Sequence, residues 1–155
     1  MKSQSCCFTG HRSIPDDKYD ELKTQLKETV SSLAERGMIY FYAGGAMGFD
    51  ALAAAEVLLQ KQKYPDIKLM LALPCRNQTD GWKDNDARLF EYIHERADSV
   101  IYTSLEYSAG CMQKRNRFMV EASSVCVCYK TRASGGTAYT VRFAEKTGVE
   151  VINLG

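Results

Sequence analysis

The chain has 155 residues, the length of one domain, and we expect a single domain over 1–155. Hydrophobic residues make up 45% and charged residues 25%, which excludes long disorder, and a net charge of +1 argues against nucleic acid as a partner. No apolar run approaches the ~20 residues of a membrane span, and no secretory signal opens the chain, so we expect a cytoplasmic protein without membrane contact.

Short apolar runs alternate with longer helical patterns along the chain. Strands are predicted at 5–8, 38–43, 67–73, 99–102, 125–129 and 149–154. The first helix begins near Asp16 or Asp17, either of which could cap it, and ends at Gly37. Further helices are predicted at 49–62, 86–96, 112–124 and 137–147. This alternation predicts an α/β fold: a single Rossmann-like three-layer domain with a mainly parallel sheet of about six strands flanked by helices.

The cysteines are interpreted as structural thiols of a reducing compartment. None of them has the C-x-x-C spacing of a zinc or thioredoxin site, so no metal is expected. Cys75 and Cys111 fall in predicted loops, where they could be reactive.

Four predicted loops carry the polar and glycine residues from which we expect a binding site. In parallel α/β sheets, ligands bind beyond the carboxyl ends of the strands, so loops that follow strands converge on one edge. The candidate ligand-binding residues in these loops are Thr9, Gly10, His11, Arg12, Gly44, Gly45, Gly48, Asp50, Gln78, Trp82, Ser134, Gly135, Gly136 and Thr137.

The loop 44–50 joins a strand to a helix, an arrangement that favours phosphate or another anion at the helix N-terminus. It could instead be a plain tight turn. Asp50 either stabilises the helix N-terminus or accepts a hydrogen bond from a ribose hydroxyl. Ser134 and Thr137 are either N-caps or part of a second phosphate site at Gly135 and Gly136.

Arg115, Met119 and Ala122 share one helix face, which predicts that Arg115 points inward and binds an anion while the other two pack. Arg12 is a second anion ligand or a surface charge. His11 could act as an acid or base, although hydrogen bonding alone is the more common role of a loop histidine. Trp82, with Gln78, could stack on a base and read it, or could cover the edge of the core.

Three motifs together resemble the superfamily that joins the Smf/DprA and LOG proteins (SLOG). They lie at Gly44–Ala53, at Arg115-Asn116-Arg117 and at Ser134–Val141, while Thr9–Arg12 and the region of Gln78 and Trp82 look more like its YpsA-like branch. The resemblance covers nearly the whole chain. It implies a Rossmann-like fold and a site for a nucleotide or an ADP-ribose-like ligand, to which Asn116 is added as a candidate ligand residue.

Two branches of this superfamily imply two further functions. LOG enzymes are phosphoribohydrolases whose arginine matches Arg115, but their second glycine and catalytic glutamate are missing here, because Val141 and Arg142 occupy that stretch. DprA-like proteins bind single-stranded DNA. The sequence therefore predicts a nucleotide-binding sensor or regulator, with a nucleotide hydrolase using Asp50 or His11 and a DNA-binding protein as alternatives. Nine tyrosines offer aromatic surface for a homodimer.

Overall fold

The computed structural model describes residues 2–155. In chain order its elements are β1 (Ser5–Gly10), α1 (Tyr19–Glu35), β2 (Tyr40–Ala43), α2 (Phe49–Gln60), β3 (Lys68–Leu73), α3 (Asp84–Arg96), β4 (Ser99–Tyr102), α4 (Cys111–Glu121), β5 (Val125–Tyr129), α5 (Gly136–Lys146) and β6 (Glu150–Asn153). The predicted α/β architecture, with six strands and five helices, is confirmed.

All six strands run parallel in one sheet, in the order β4-β3-β2-β1-β5-β6. The chain builds outward from β1 to β4 and then returns to place β5 on the other side of β1. This reversal makes the β1–β5 boundary a topological switch point, where α/β proteins open a crevice beyond the carboxyl ends of the strands.

Apolar side chains cover both faces of the sheet. On one face, helices α1 and α2 bury the predicted stripe of Leu22, Leu26, Val30 and Leu33. At the centre of that face Phe8 packs against Phe41 and Phe49, with ring centroids 6.3 and 6.2 Å apart. On the other face α4 and α5 bury a smaller cluster that includes Met119 and Ala144. The sheet is therefore the middle of three layers.

The first helix begins later than the sequence predicts. Asp16 and Asp17 lie in a short 3-10 turn, Asp16–Lys18, and the N-cap of α1 is Lys18 without a side-chain capping bond, so the predicted aspartate cap is wrong. The predicted end of the helix is confirmed: Gly37 has φ +98°, and the Met38 N–H donates to the Leu33 carbonyl oxygen.

The second strand is shorter and more exposed than predicted. Its residues begin at Tyr40 rather than Met38, because Met38 and Ile39 carry the chain from Gly37 back into the sheet. Tyr40 and Tyr42 are only half-buried, so the expected burial on both faces of this strand is wrong. None of the helices within 2–155 is long and apolar enough to cross a bilayer.

Candidate functional site

A cleft of about 650 Å³ opens at the switch point between β1 and β5. We call it the main cleft. Predicted binding residues that line it are Thr9, Gly10, His11, Arg12, Asp50, Arg115, Asn116, Gly136 and Thr137. Its volume lies in the range of small-molecule sites, so it is large enough for a nucleotide.

Most glycines around the main cleft leave room for the protein's own atoms rather than for a ligand. A Cβ on Gly10 would lie 2.5 Å from the Phe49 ring. A Cβ on Gly48, where φ is +73°, would lie 2.2 Å from the Arg12 carbonyl oxygen. The Phe49 N–H also donates to the His11 carbonyl oxygen at 3.1 Å. The loops after β1 and β2 are thus held together by packing, which is the tight-turn interpretation of these glycines.

Gly44 and Gly45 are enclosed in the same way. A Cβ on Gly44 would meet the Arg115 guanidinium and the Asp50 carboxylate, and a Cβ on Gly45 would lie 2.6 Å from the Leu73 side chain. Neither glycine has open space on the side where a side chain would stand.

The loop before α5 differs, because its glycines face open space. Nothing lies within 4 Å of a Cβ built on Gly135 or Gly136. Gly135 is the N-cap of α5 with φ +99°, and no side chain caps this helix. Its first N–H groups therefore remain available to an anion that enters the main cleft beside Gly136 and Thr137.

Arg115 points inward as predicted, and it is 4% exposed. Its Nη1 donates to the Gly44 carbonyl oxygen and lies 3.4 Å from the Ala72 carbonyl oxygen, while Nε donates to Asn116 Oδ1 at 2.7 Å. The guanidinium thus ties α4 to the ends of β2 and β3. The guanidinium is thus committed to oxygen atoms of the protein, and its predicted role as an anion ligand stays a prediction.

Asp50 is a buried carboxylate at the start of α2, 5% exposed. Burial raises its pKa to about 6, although Arg115, the N–H groups of Ala46 and Gly44, and Arg12 favour its charged form. Asp50 therefore closes its own glycine-rich loop by accepting main-chain hydrogen bonds. Among the residues that line the main cleft, Asp50 is the one with an acidic side chain.

His11 joins the loop after β1 to the loop after β5. Its Nε2 accepts the Thr131 N–H at 3.0 Å, and its Nδ1 lies 3.2 Å from the Arg132 guanidinium. Burial, and then the charge of Arg132, lower the pKa of His11. Nε2 is thus engaged as an acceptor within the protein and Nδ1 faces a cation, which leaves hydrogen bonding as the role that the geometry supports.

Positive charge and helix N-termini dominate the main cleft. Arg12 and Arg132 are exposed and line it together with buried Arg115. Of the helix N-termini, that of α5 borders the cleft with Gly136 and Thr137 and has no side-chain capping bond, whereas the first N–H of α2 is donated to His11. Against these stands the single carboxylate of Asp50. The cleft is therefore suited to an anion.

A second cleft of about 340 Å³ adjoins the main one, between the start of α1, α2 and α3. We call it the aromatic cleft, since Trp82, Phe90 and Tyr19 line it. Gly45 and Gly48 are on its wall. Gln78 lines neither cleft: its amide nitrogen donates to the Gly45 carbonyl oxygen at 2.8 Å, so it holds the loop after β2.

Ser134 and Gly135 also lie outside the lining of both clefts, in the exposed turn that leads into α5. Conversely, sequence reasoning missed Thr131 and Arg132. They follow β5 after Lys130, and only the placement of β5 beside β1 brings them to His11. A basic residue shortly after a strand at the switch point was the available signal.

The cysteines of the described chain are all unpaired and buried. Cys75 follows β3 in a loop as predicted, whereas Cys111 is the first residue of α4. Burial raises the pKa of the Cys75 thiol, which lowers its reactivity. Within 2–155 no group of three histidine, cysteine or acidic side chains is placed to hold a metal ion.

Comparison with known proteins gives a consistent family. The family model described as the YspA SLOG family matches residues 6–151. Curated relatives named UPF0398 protein, from Bacillus thuringiensis (strain Al Hakam) and Bacillus cereus (strain AH187), are each 31% identical over 131 residues. That alignment covers 82% of this chain and 71% of each relative.

Two solved structures share the fold. One is DNA processing protein A from Helicobacter pylori, described by its single-stranded DNA binding mode, with a TM-score of 0.67 and 19% identity. The other is DNA processing protein A from Streptococcus pneumoniae, with a TM-score of 0.69 and 13% identity. The match to the H. pylori protein covers 98% of this chain and 65% of that protein. The match to the S. pneumoniae protein covers 97% of this chain and 50% of that protein.

These structures overturn one expectation from composition. The net charge of +1 argued against nucleic acid as a partner, yet the H. pylori protein with this fold binds single-stranded DNA. Net charge averages over the whole surface, whereas a ligand meets the local charge of one cleft. The prediction from composition that nucleic acid is an unlikely partner is therefore wrong.

Proposed function

Because the chain belongs to the YspA SLOG family, we propose that it binds a nucleotide or a nucleotide-derived, ADP-ribose-like ligand in the main cleft and acts as a sensor or regulator. One observation carries this proposal: the start of α5 at Gly136 and Thr137 lines the same cleft as the exposed guanidinium groups of Arg12 and Arg132. Main-chain N–H groups and guanidinium groups are the donors that proteins use for phosphate.

The guanidinium of Arg132 contacts the His11 ring, and a ligand phosphate would replace that contact. A neutral imidazole carries one proton, and its other nitrogen accepts one hydrogen bond. Nε2 of His11 already accepts the Thr131 N–H, so Nδ1 carries the proton and faces the donors of Arg132. A phosphate oxygen is a better partner for that guanidinium, so binding would exchange an unfavourable contact for a charge-assisted hydrogen bond.

Single-stranded DNA is the second candidate ligand, favoured by the fold shared with the H. pylori protein. A nucleotide in a strand offers the same phosphate chemistry as a free nucleotide. The two differ in length and in salt dependence, because a protein that neutralises several phosphates of one strand loses affinity for it steeply with added salt.

A nucleotide hydrolase of the phosphoribohydrolase type is the alternative activity, with Asp50 as its acid or base. The support for it is the pKa of Asp50, about 6, within a cleft. His11 is the weaker candidate, because its Nε2 already accepts the Thr131 N–H and its Nδ1 faces the guanidinium of Arg132.

The test is calorimetric titration with AMP, ADP-ribose and a ten-nucleotide thymidine oligomer, at low and at physiological salt. We expect AMP or ADP-ribose to bind, and Arg132→Ala to weaken binding about tenfold, which corresponds to ~1.4 kcal/mol. Arg88→Ala is the matched control, since Arg88 is exposed on α3 and lines neither cleft. Binding of the oligomer alone would make single-stranded DNA the ligand, and binding of none of the three would refute the proposal.

We also propose that the protein works in the cytoplasm as a homodimer. The buried, unpaired cysteines suit a reducing compartment. Tyr92, Tyr102 and Tyr107 are exposed and supply aromatic surface for an interface. Light scattering at high micromolar protein checks the second point, and a monomeric mass would contradict it.

A further inference from the structure

The aromatic cleft is continuous in its lining with the main cleft. Arg12, Ser13, Ala46 and Asp50 line both. The second, smaller cleft therefore adjoins the main one at Arg12 and Asp50. Its volume of about 340 Å³ is enough for one planar ring system.

Part of the wall of the aromatic cleft is formed by large apolar side chains. The Trp82 and Phe90 rings pack edge to face, with centroids 5.8 Å apart at 84°. Tyr19 and Leu89 also line this cleft, and their side chains remain 42% and 38% exposed. Large apolar side chains that stay exposed inside a concave surface mark a binding site more often than isolated ones on a convex surface.

The charges of the two clefts are opposite. Asp16 and Asp86 line the aromatic cleft, and Arg12 stands only at its border with the main cleft. The main cleft instead contains Arg12, Arg115 and Arg132. A phosphate is therefore repelled from the aromatic cleft and attracted to the main one, and this polarity fixes the direction in which a two-part ligand binds.

We propose that the aromatic cleft binds the base of the nucleotide ligand, stacked against Trp82, while the phosphate lies in the main cleft. This inference rests on the proposed nucleotide-binding function. It assigns to Trp82 the base-stacking role, and it leaves Gln78 as a loop-holding residue because its amide is turned to Gly45. Stacking of a base on an aromatic side chain contributes enough binding free energy to be measured by substitution.

The test compares AMP with ribose 5-phosphate, which lacks the base, by calorimetric titration. For the unmodified protein we expect AMP to bind at least tenfold more tightly. Trp82→Ala should remove most of that difference and leave the affinity for ribose 5-phosphate unchanged, whereas Trp82→Phe should preserve it. Tyr92→Ala is the control, because Tyr92 is an exposed aromatic residue of the same region that stacks on Arg96 and lines neither cleft.

Trp82 is the single tryptophan of the chain, so its fluorescence reports directly on the aromatic cleft. AMP should quench it and ribose 5-phosphate should not. If both compounds bind with equal affinity and neither quenches, the base lies elsewhere and this inference is wrong while the phosphate site stands. If neither compound nor ADP-ribose binds, the proposed function itself fails and this inference fails with it.

Discussion

A guanidinium sealed from solvent has to satisfy its N–H donors inside the protein. Arg115 does so on the carbonyl oxygens of Gly44 and Ala72 and on the side chain of Asn116. At the scale of single residues, this places a cation under the main cleft whose first function is to hold the ends of β2 and β3 against α4. Any contribution to ligand binding comes through its charge and through the loop that it fixes.

Replacing Arg115 by alanine should destabilise the protein. Two buried carbonyl oxygens would lose their donor, and the penalty for unsatisfied buried groups is ~1–3 kcal/mol each. We expect the free energy of unfolding, measured in urea, to fall by at least about 2 kcal/mol. Arg117→Ala, an exposed arginine two residues further along α4, should change it by less than about 0.5 kcal/mol. Equal effects of the two substitutions would contradict the structural role.

Asp50 should make stability depend on pH in an unusual direction. Burial raises its pKa to about 6 from the ordinary 3.8, so the folded protein holds this proton more tightly than the unfolded chain. Raising the pH through this window therefore favours unfolding, by about 3 kcal/mol in total. Relative to Asp50→Asn, the unfolding free energy of the unmodified protein should fall between about pH 4 and pH 6 and stay level above pH 7. A difference that does not change with pH would show an ordinary carboxylate.

Residue patterns predicted part of this local chemistry. The spacing of Arg115 and Met119 placed the arginine on the inward face, and that placement is confirmed by its burial. Its hydrogen-bond partners could not be predicted, because Gly44 and Ala72 lie in strands or loops distant in sequence. For the same reason, the engagement of His11 by Thr131 and Arg132 was beyond prediction.

The two glycine-rich loops are alike in sequence and different in structure. At the scale of elements, the loop before α2 is filled by the protein: Gly48 packs against the Arg12 main chain and Gly10 against Phe49. The loop before α5 borders open space at Gly135 and Gly136. One helix start is thus part of the frame of the cleft, and the other is a surface that a ligand can touch.

Alanine substitutions should separate these two functions. Gly48→Ala forces a side chain to φ +73° and into the Arg12 carbonyl, so it should cost about 3 kcal/mol or more of stability. Gly136→Ala adds a methyl group to open space at the start of a helix, so stability should stay within about 0.5 kcal/mol. The same variant should weaken AMP binding about tenfold, because the methyl group occupies the approach to the α5 N-terminus. Thermal unfolding and titration measure the two effects, and tight AMP binding by Gly136→Ala would place the phosphate elsewhere.

Helices and strands were predictable to within a few residues because their apolar periodicity is strong. The strands Ser99–Tyr102 and Val125–Tyr129 were predicted with the bounds observed. The errors lie at helix ends: α2 and α4 end two and three residues earlier than predicted, although the start of α2 at Phe49 was predicted, and α1 begins after a 3-10 turn. Polar residues nearby, such as Asp16 and Asp17, resemble caps in sequence and do not act as caps.

The order of the strands determines the site at the scale of the whole molecule. Periodicity predicts strands one at a time, but the pairing of β1 with β5 depends on contacts between residues more than one hundred positions apart. That pairing brings Arg132 to His11 and creates the switch point. The sequence could predict that loops converge on one edge; it could not predict which two loops would form the main cleft.

As a whole, the molecule should bind AMP without cleaving it. On α5, Val141 is buried, Arg142 and Glu145 are exposed, and none of the three lines the main cleft. Asp50 is held by main-chain N–H groups, which leaves the site without a free carboxylate to stabilise an oxocarbenium ion. After incubation with AMP, chromatography should detect no free adenine. Repeated turnover that disappears in Asp50→Asn would contradict this and make Asp50 the catalytic acid or base.

On one side of the main cleft, the hydrogen bond from Phe49 to His11 and the tight packing at Gly48 leave little room for substitutions. The opposite side, before α5, tolerates them better. Side chains at 132–134 are exposed, and substitutions there disturb little of the packing that stabilises the fold. Ligand preference can therefore diverge by exchange of these few residues while the scaffold is retained. A library randomised at 132–134 should consist mostly of folded proteins with altered selectivity, whereas one randomised at 44–48 should consist mostly of unfolded ones.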